Sequence, residues 1–350
     1  MSSNYRPPYK LTPAILKLVG EISEWIGRYS VVSESSMTPR LRRGNRIRTI
    51  QSSLAIENNT LSLEQVTAVI EGKRILGDPR EIQEVRNAFK VYENLDSYEP
   101  FSHDNFLDAH KTLMLGLVDN SGKLRTGAVG IARGNKIIHT APPADRVPFL
   151  MKDLLSWLKK TDEHPLVSSC VFHYELEFIH PFKDGNGRMG RLWKTLILSK
   201  WQAVFAYLPI ESVIIENQNE YYQILSLCDN KGDSTLFIEF LLDVILKTLK
   251  FAAETPEVAP DVTPEVKKLL FVMDKELTRR EIQAKLGLKD EKHFRIKYQQ
   301  AAVAQKLVEM TIPDKPNSRP QKYRLTEKGR IMQEHINHEI QKNHKNSKND

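Results

Sequence analysis

The chain has 350 residues, 40% apolar and 27% charged, with 51 Lys and Arg against 44 Asp and Glu. That length and balance exclude a disordered chain, a collagen and a disulfide miniprotein, and leave room for two domains. The two cysteines, and an N-terminal stretch without a signal-peptide-like apolar block, make a reducing, cytoplasmic setting the expectation.

In chain order, the first definite pattern is RIRTIQSSLAIENNTLS, residues 46–62, where Ser53 and Glu57 stand four apart and so share one face of a helix. Apolar residues at spacings of three and four follow: Ile82, Val85, Phe89, Val91 and Tyr92, then Phe149, Leu150, Leu154, Leu155 and Leu158. They predict a mainly α body. Between them, TGAVGIARGNKIIHTAPP, residues 126–143, sets two runs of β-formers around Gly134 and Asn135, a pair suited to a tight turn, so one solitary β-hairpin is expected. The stretch GLVDNSGKL, residues 116–124, has Leu124 where a phosphate-binding P-loop needs Ser or Thr, and reads as a plain loop.

His173 and Glu177 share a helical face without an HExxH pattern or a third ligand, so zinc is not expected. Cys170 and Cys228 read as buried small apolar residues. The most apolar runs are interrupted by Lys200 in one case and by Glu239 and Asp243 in another, and no membrane span is expected.

The richest segment is IHPFKDGNGRMGRLW, residues 179–193. Leu176, Ile179 and Phe182 close one helical pattern, and Leu192, Leu196 and Ile197 open another, so the loop between them meets a helix N-terminus. Gly185 and Gly187 let its backbone curve until several N–H groups point at one oxyanion, which makes a phosphate seat. Arg188 and Arg191, three apart, present forked donors to a polyphosphate. Asp184 is a hard oxygen ligand suited to Mg²⁺, and His180 is a base for an incoming hydroxyl. Together the parts point to phosphoryl-type or nucleotidyl transfer.

This segment resembles the Fic motif, HxFx(D/E)GNGRxxR, with every fixed position present: His180, Phe182, Asp184, Gly185, Asn186, Gly187, Arg188 and Arg191. The resemblance implies a Fido-type helical domain that transfers AMP from ATP·Mg²⁺ to a Tyr, Thr or Ser hydroxyl of a target protein, the chain itself being one candidate. It casts His180 as the catalytic base and Asp184 as the metal ligand. Gly185, Asn186, Gly187, Arg188, Gly190 and Arg191 become the phosphate-binding set, and Phe182 a core anchor. The hairpin becomes a flap on which Ile137, Ile138 and His139 dock the target, and NQNEYYQIL, residues 217–225, resembles the segment that closes over the nucleoside with Tyr221, Tyr222 and Leu225. Ser53, Glu57 and Asn58 match (S/T)xxxE(G/N), the inhibitory motif, so Glu57 is expected to engage Arg191 and hold the enzyme back. The same carboxylate offers an alternative, a hydrolase in which it orients water to remove AMP.

Three prolines in AAETPEVAPDVTPE, residues 252–265, mark a linker. It divides a catalytic domain, residues 1–251, with an inhibitory helix at about 40–58, a flap at 126–143 and an active-site loop at 180–191, from a second domain at 266–332 and a polar tail at 333–350. Residues 261–350 hold 20 Lys and Arg against 13 Asp and Glu, the whole basic excess of the chain. Helical patterns at 265–273, in LTRREIQAKLGL (residues 277–288, ended by Gly287) and at 290–308, followed by two short strand candidates, predict a winged helix-turn-helix, with His293, Arg295 and Lys297 on its third helix. It suits contact with nucleic acid or with protein, and it leaves a DNA-binding regulator as a further alternative for the whole chain.

Overall fold

The computed structural model describes residues 5–36, 39–133, 136–254, 263–288, 290–314, 318, 320–327, 329–330, 332–333 and 336, with the backbone alone for 29–36, 40, 130–133, 136–140, 253–254 and 264. The chain divides into two compact units, Met1–Ala253 and Glu254–Asp350.

The first unit is helical: α1 (Pro13–Ser36), α2 (Pro39–Ile56), α3 (Leu63–Ile70), α4 (Pro79–Glu93), α5 (His103–Leu113), α6 (Val147–Lys160), α7 (Pro165–Ile179), α8 (Asn186–Trp201), α9 (Ile210–Glu216), α10 (Gln218–Lys231) and α11 (Thr235–Glu254). Local chemistry sets many starts. Ser62 and Gln65 form a reciprocal capping box on α3, Asp78 caps α4 ahead of Pro79, and Ser102 caps α5. α7 is buried on nearly every face, its polar residues Ser168, Ser169, His173, Glu175 and Glu177 included, as befits a helix at the centre of a bundle. With α8 it forms a central hairpin between two cores. One joins Ile50, Leu54, Val85, Phe106, Leu154, Phe182 and Trp193; the other joins Ile22, Val171, Ile214, Tyr221, Phe237 and Leu241.

The hairpin is shorter than the patterned segment. β1 (Gly130–Arg133) and β2 (Lys136–Thr140) pair antiparallel, with Ile131 opposite His139 and Ala132 opposite Ile137, so Ile138 is the extra residue of a bulge. Gly134 and Asn135 lie outside the described residues, as do the side chains of Ile137, Ile138 and His139.

α2 ends at Ile56, two residues before the expected limit, because Asn58 takes a left-handed φ of 67°. Asn59 N–H bonds to Leu54 C=O at 3.1 Å and Asn58 N–H to Ala55 C=O at 3.0 Å, the two bonds of a Schellman cap. This gives the Asn58 position a physical reason, since Gly and Asn tolerate that conformation best. Asn58→Gly should therefore leave stability nearly unchanged, whereas Asn58→Ala should cost about 1 kcal/mol in a denaturant melt.

At the domain boundary, residues 252–254 continue α11 rather than beginning a linker, and residues 255–262 lie outside the described set. The second unit has α12 (Pro264–Val272), α13 (Arg279–Lys285) and a helical run at 291–304 whose middle, Phe294–Gln300, is π-helical. β3 (Val308–Met310) and β4 (Tyr323–Leu325) pair antiparallel, and Leu277 bridges to Tyr323. This order is that of a winged helix-turn-helix around one core of Leu269, Leu270, Ile282, Phe294, Tyr298, Leu307 and Tyr323. The third helix stops at Ala304 instead of 308, because Lys306, at φ 54°, closes a second Schellman cap that turns the chain into β3.

Candidate active site

The loop between α7 and α8 is held from three sides. Phe182, fully buried, stacks on His110 with ring centroids 3.5 Å apart and on Phe106 at 5.3 Å. Asn186 clasps the turn, accepting from Phe182 N–H and donating to Phe182 C=O, both at 2.9 Å. His110 bridges the outer side: one ring nitrogen lies 3.0 Å from Asp184 C=O and the other accepts Gly122 N–H at 2.8 Å. These bonds require a neutral ring with its proton on Nε2, and burial keeps it neutral by pushing the pKa down to about 4.

Arg125, a residue the sequence reading missed, organises the C-terminus of α7. Its guanidinium donates to the carbonyls of His180 at 2.7 Å, Gly127 at 2.9 Å, Ile179 at 3.3 Å and Pro142, and its own N–H bonds to Pro181 C=O at 2.9 Å. A cation is favoured at this end of a helix, where carbonyls are otherwise unpaired. No spacing or motif marks a lone arginine for this work. The loop then rests on the same anchor as the base of the hairpin.

His180 sits just past the end of α7 with φ 49° and ψ 61°, a left-handed conformation that turns its side chain out of the helix line. Its Nδ1 lies 3.4 Å from Glu177 C=O, which selects the tautomer protonated there and gives the basic lone pair to Nε2. Gly185, also left-handed at φ 84°, precedes α8 with no side-chain cap, so the first N–H groups of that helix have no intrahelical partner. A Cβ on Gly185 would come within 2.7 Å of the Met114 sulfur. Gly185→Ala is expected to cost about 1–3 kcal/mol through clash and backbone strain together, measured as a lower denaturation midpoint.

A cavity of about 210 Å³ opens here, lined among others by Glu57, Glu177, His180, Asp184, Gly185, Asn186, Gly187, Arg191, Tyr221, Tyr222 and Leu225. Most of the residues singled out from sequence thus meet around one space. Arg188 and Gly190 do not line it. Arg188, 5% exposed, turns under the loop to Asp184 at 2.9 Å and Glu84 at 3.2 Å, so it positions the carboxylate instead of facing a ligand. Gly190 lets α8 approach α7, since a Cβ there would lie 2.7 Å from the His173 ring. Tyr221 is mostly a core residue whose hydroxyl meets His173 Nε2 at 3.1 Å, while Tyr222 and Leu225 are half-buried in the wall.

Arg191 is 1% exposed and committed. Its Nε donates to Ser53 Oγ at 3.0 Å, and Nη2 to Ser53 C=O at 3.0 Å and to Glu57 Oε1 at 2.7 Å. Although Glu57 lies just beyond α2, the cap at Asn58 keeps its side chain over the cavity. The end of α2 is held in turn by Gln218 and Tyr222, which donate to Ile56 C=O at 2.9 and 3.4 Å. Burial pushes the Glu177 carboxyl up to about 7, and His173 beside it is held well below its ordinary value, again by burial.

Residues 100–198 match the Fic/DOC family, and residues 264–326 match the C-terminal domain of the filamentation-induced-by-cAMP protein Fic-like group. A crystal structure of a Fic family protein from Desulfovibrio desulfuricans G20 is 55% identical and superposes with a TM-score of 0.70, covering 92% of this chain and 99% of that one. Fic-1 from Caenorhabditis elegans, 24% identical, shares the fold with a TM-score of 0.58 over 68% of this chain and 71% of its own. The protein adenylyltransferase Fic of Aedes aegypti is 29% identical over 273 residues, which is 71% of this chain and 52% of the relative. The chain spans about half the length of the curated relatives it matches. With the complete motif, the central helical hairpin and a close relative matched over nearly its whole length, this chain belongs to the Fic family.

Proposed function

We propose that the chain is a protein adenylyltransferase that moves AMP from ATP to a Tyr, Thr or Ser hydroxyl of a target protein and that rests in an inhibited state. The observation that carries this reading is the meeting of His180, the uncapped N-terminus of α8 and Arg191 in one cavity. Relatives described as protein adenylyltransferases support it.

His180 Nε2 takes the proton of the target hydroxyl as its oxygen bonds to the α-phosphorus, and pyrophosphate departs with the electrons of the broken P–O bond. The N–H groups at the start of α8 are already oriented toward the charge that develops on the phosphate, so they stabilise it without reorganisation. Tyr222 and Leu225 pack the nucleoside. Arg188 keeps Asp184 turned toward the site.

Asp184, its side chain 39% exposed and lining the cavity, is the residue that would hold a Mg²⁺ ion. Among the described residues no cluster of three or more candidate ligands forms an all-protein cage. When bound, the ion would neutralise charge on the phosphates.

The brake is the Arg191–Glu57 pair, because a guanidinium held by a carboxylate cannot take the γ-phosphate. Glu57 also lines the cavity, so the hydrolytic reading, removal of AMP by an oriented water, uses the same carboxylate. The free edge of the β1–β2 hairpin is the docking strand for an extended target segment. Two buried free thiols, that of Cys170 pushed up to about 12 by burial, suit a reducing cytoplasm. Among the described residues no helix is long and apolar enough to cross a membrane.

Incubation with ATP labelled at the α- or the γ-phosphate tests the reading. Protein-bound α-label with no γ-label supports it, γ-label on protein would make the chain a kinase, and release of AMP from a modified target without transfer would establish the hydrolase.

A further inference from the structure

The basic excess of the chain lies ahead of its polar tail: residues 261–332 hold 17 Lys and Arg against 10 Asp and Glu, while residues 333–350 hold three of each. Several of these cations are already neutralised. Lys285 pairs with Asp274 at 2.8 Å, Arg324 with Glu309 at 2.7 Å and Glu276 at 3.4 Å, Arg330 with Glu327 at 3.3 Å and Arg279 with Glu291 at 3.9 Å.

The third helix differs. Its run at 291–304 buries Phe294, Tyr298 and Ala302 against the core and turns Lys292, His293, Arg295, Ile296, Lys297 and Gln300 outward. Among the described residues none of Lys292, Arg295 and Lys297 takes part in an ion pair; Asp290 and Glu291 stand at the start of the same helix, and Glu265 on α12 is within electrostatic reach of Lys297. Ile296, 43% exposed, sits between two of these cations. An apolar side chain ringed by unpaired positive charge is poor material for a protein interface core, where charge is depleted, and good material for a DNA groove, where phosphates meet the cations and a thymine methyl meets the aliphatic group.

We propose that the second unit binds duplex DNA, with the helix at 291–304 in the major groove, Lys292, Arg295 and Lys297 on phosphates, and Ile296 and Gln300 toward base edges. Three helices and a β3–β4 wing are an arrangement that presents its third helix in this way. The B-form major groove admits an α-helix; the deep, narrow major groove of A-form RNA does not. This activity is separate from nucleotidyl transfer and does not depend on it.

The test is fluorescence anisotropy of a labelled 24-base-pair duplex titrated with the full chain at 50 and 200 mM salt. Three phosphate contacts give a log–log salt slope of about −2.7, hence about 40-fold weaker binding at the higher salt. The triple variant Lys292→Ala, Arg295→Ala, Lys297→Ala should abolish that dependence at an unchanged melting temperature, while Lys17→Ala with Lys247→Ala, in the first unit, should leave binding intact. Lys297→Ala alone should reduce the slope by about 1, which keeps the test decisive even if the triple variant misfolds. Absence of binding at 50 mM salt, binding that survives the variants, or equal affinity for an RNA duplex would overturn the proposal, the first result pointing to a protein partner.

Discussion

His180→Asn should lower AMP transfer by about 10²- to 10⁴-fold with ATP affinity little changed, the loss typical of removing a general base. Asparagine is the informative replacement because position 180 has φ 49°, and Asn tolerates that backbone where alanine would add strain. The carbonyl that Arg125 grips is main-chain and survives the substitution. A lost rate therefore reports the imidazole and not a collapsed loop. Label incorporation gives the rate and calorimetric titration the affinity; retention of more than a tenth of the rate would remove His180 from the chemistry.

Glu57→Gly should act in the opposite direction, raising self-labelling by roughly 10- to 150-fold. A charge-assisted hydrogen bond contributes about 1.5–3 kcal/mol, and each 1.4 kcal/mol is a factor of ten in the population of enzyme with Arg191 available. The same change has a structural cost. It strands a guanidinium that is 1% exposed with Ser53 as its remaining partner, so the unliganded variant should melt below wild type. ATP supplies the missing negative charge, and it should raise the melting temperature of the variant more than that of wild type. Equal labelling and equal ATP-induced shifts in the two proteins would rule out the brake.

The sequence was most legible where local chemistry dictates structure. Glycine placement, the apolar breaks at Ile179 and Leu192 and the fixed motif spacing located the α7–α8 turn, and the mainly helical fold followed from periodicity. The 180–191 segment was less uniform than it looked: α8 already begins at Asn186, and Arg188 turns under the loop while Arg191 faces the cavity. Their i,i+3 spacing could not tell an arginine that meets a ligand from one that supports a carboxylate, because that depends on Glu84 and Glu57, each more than a hundred residues away. Arg125 and His110 were invisible for the same reason. Their partners are backbone carbonyls and amides brought close only by the tertiary fold. Glu177, dismissed as a metal ligand, proved to line the cavity, a placement that follows from its position one helical turn before His180.

The order of the parts along the chain decides which half of the Arg191–Glu57 pair is made first. Glu57 precedes Arg191 by 134 residues. At ribosomal rates of about 5–20 residues per second, Glu57 is made roughly 7–27 s before its arginine partner. Arg191 thus emerges into a chain that already carries Glu57, so on the proposed reading no stage of synthesis would hold a finished α7–α8 site without the carboxylate that restrains it.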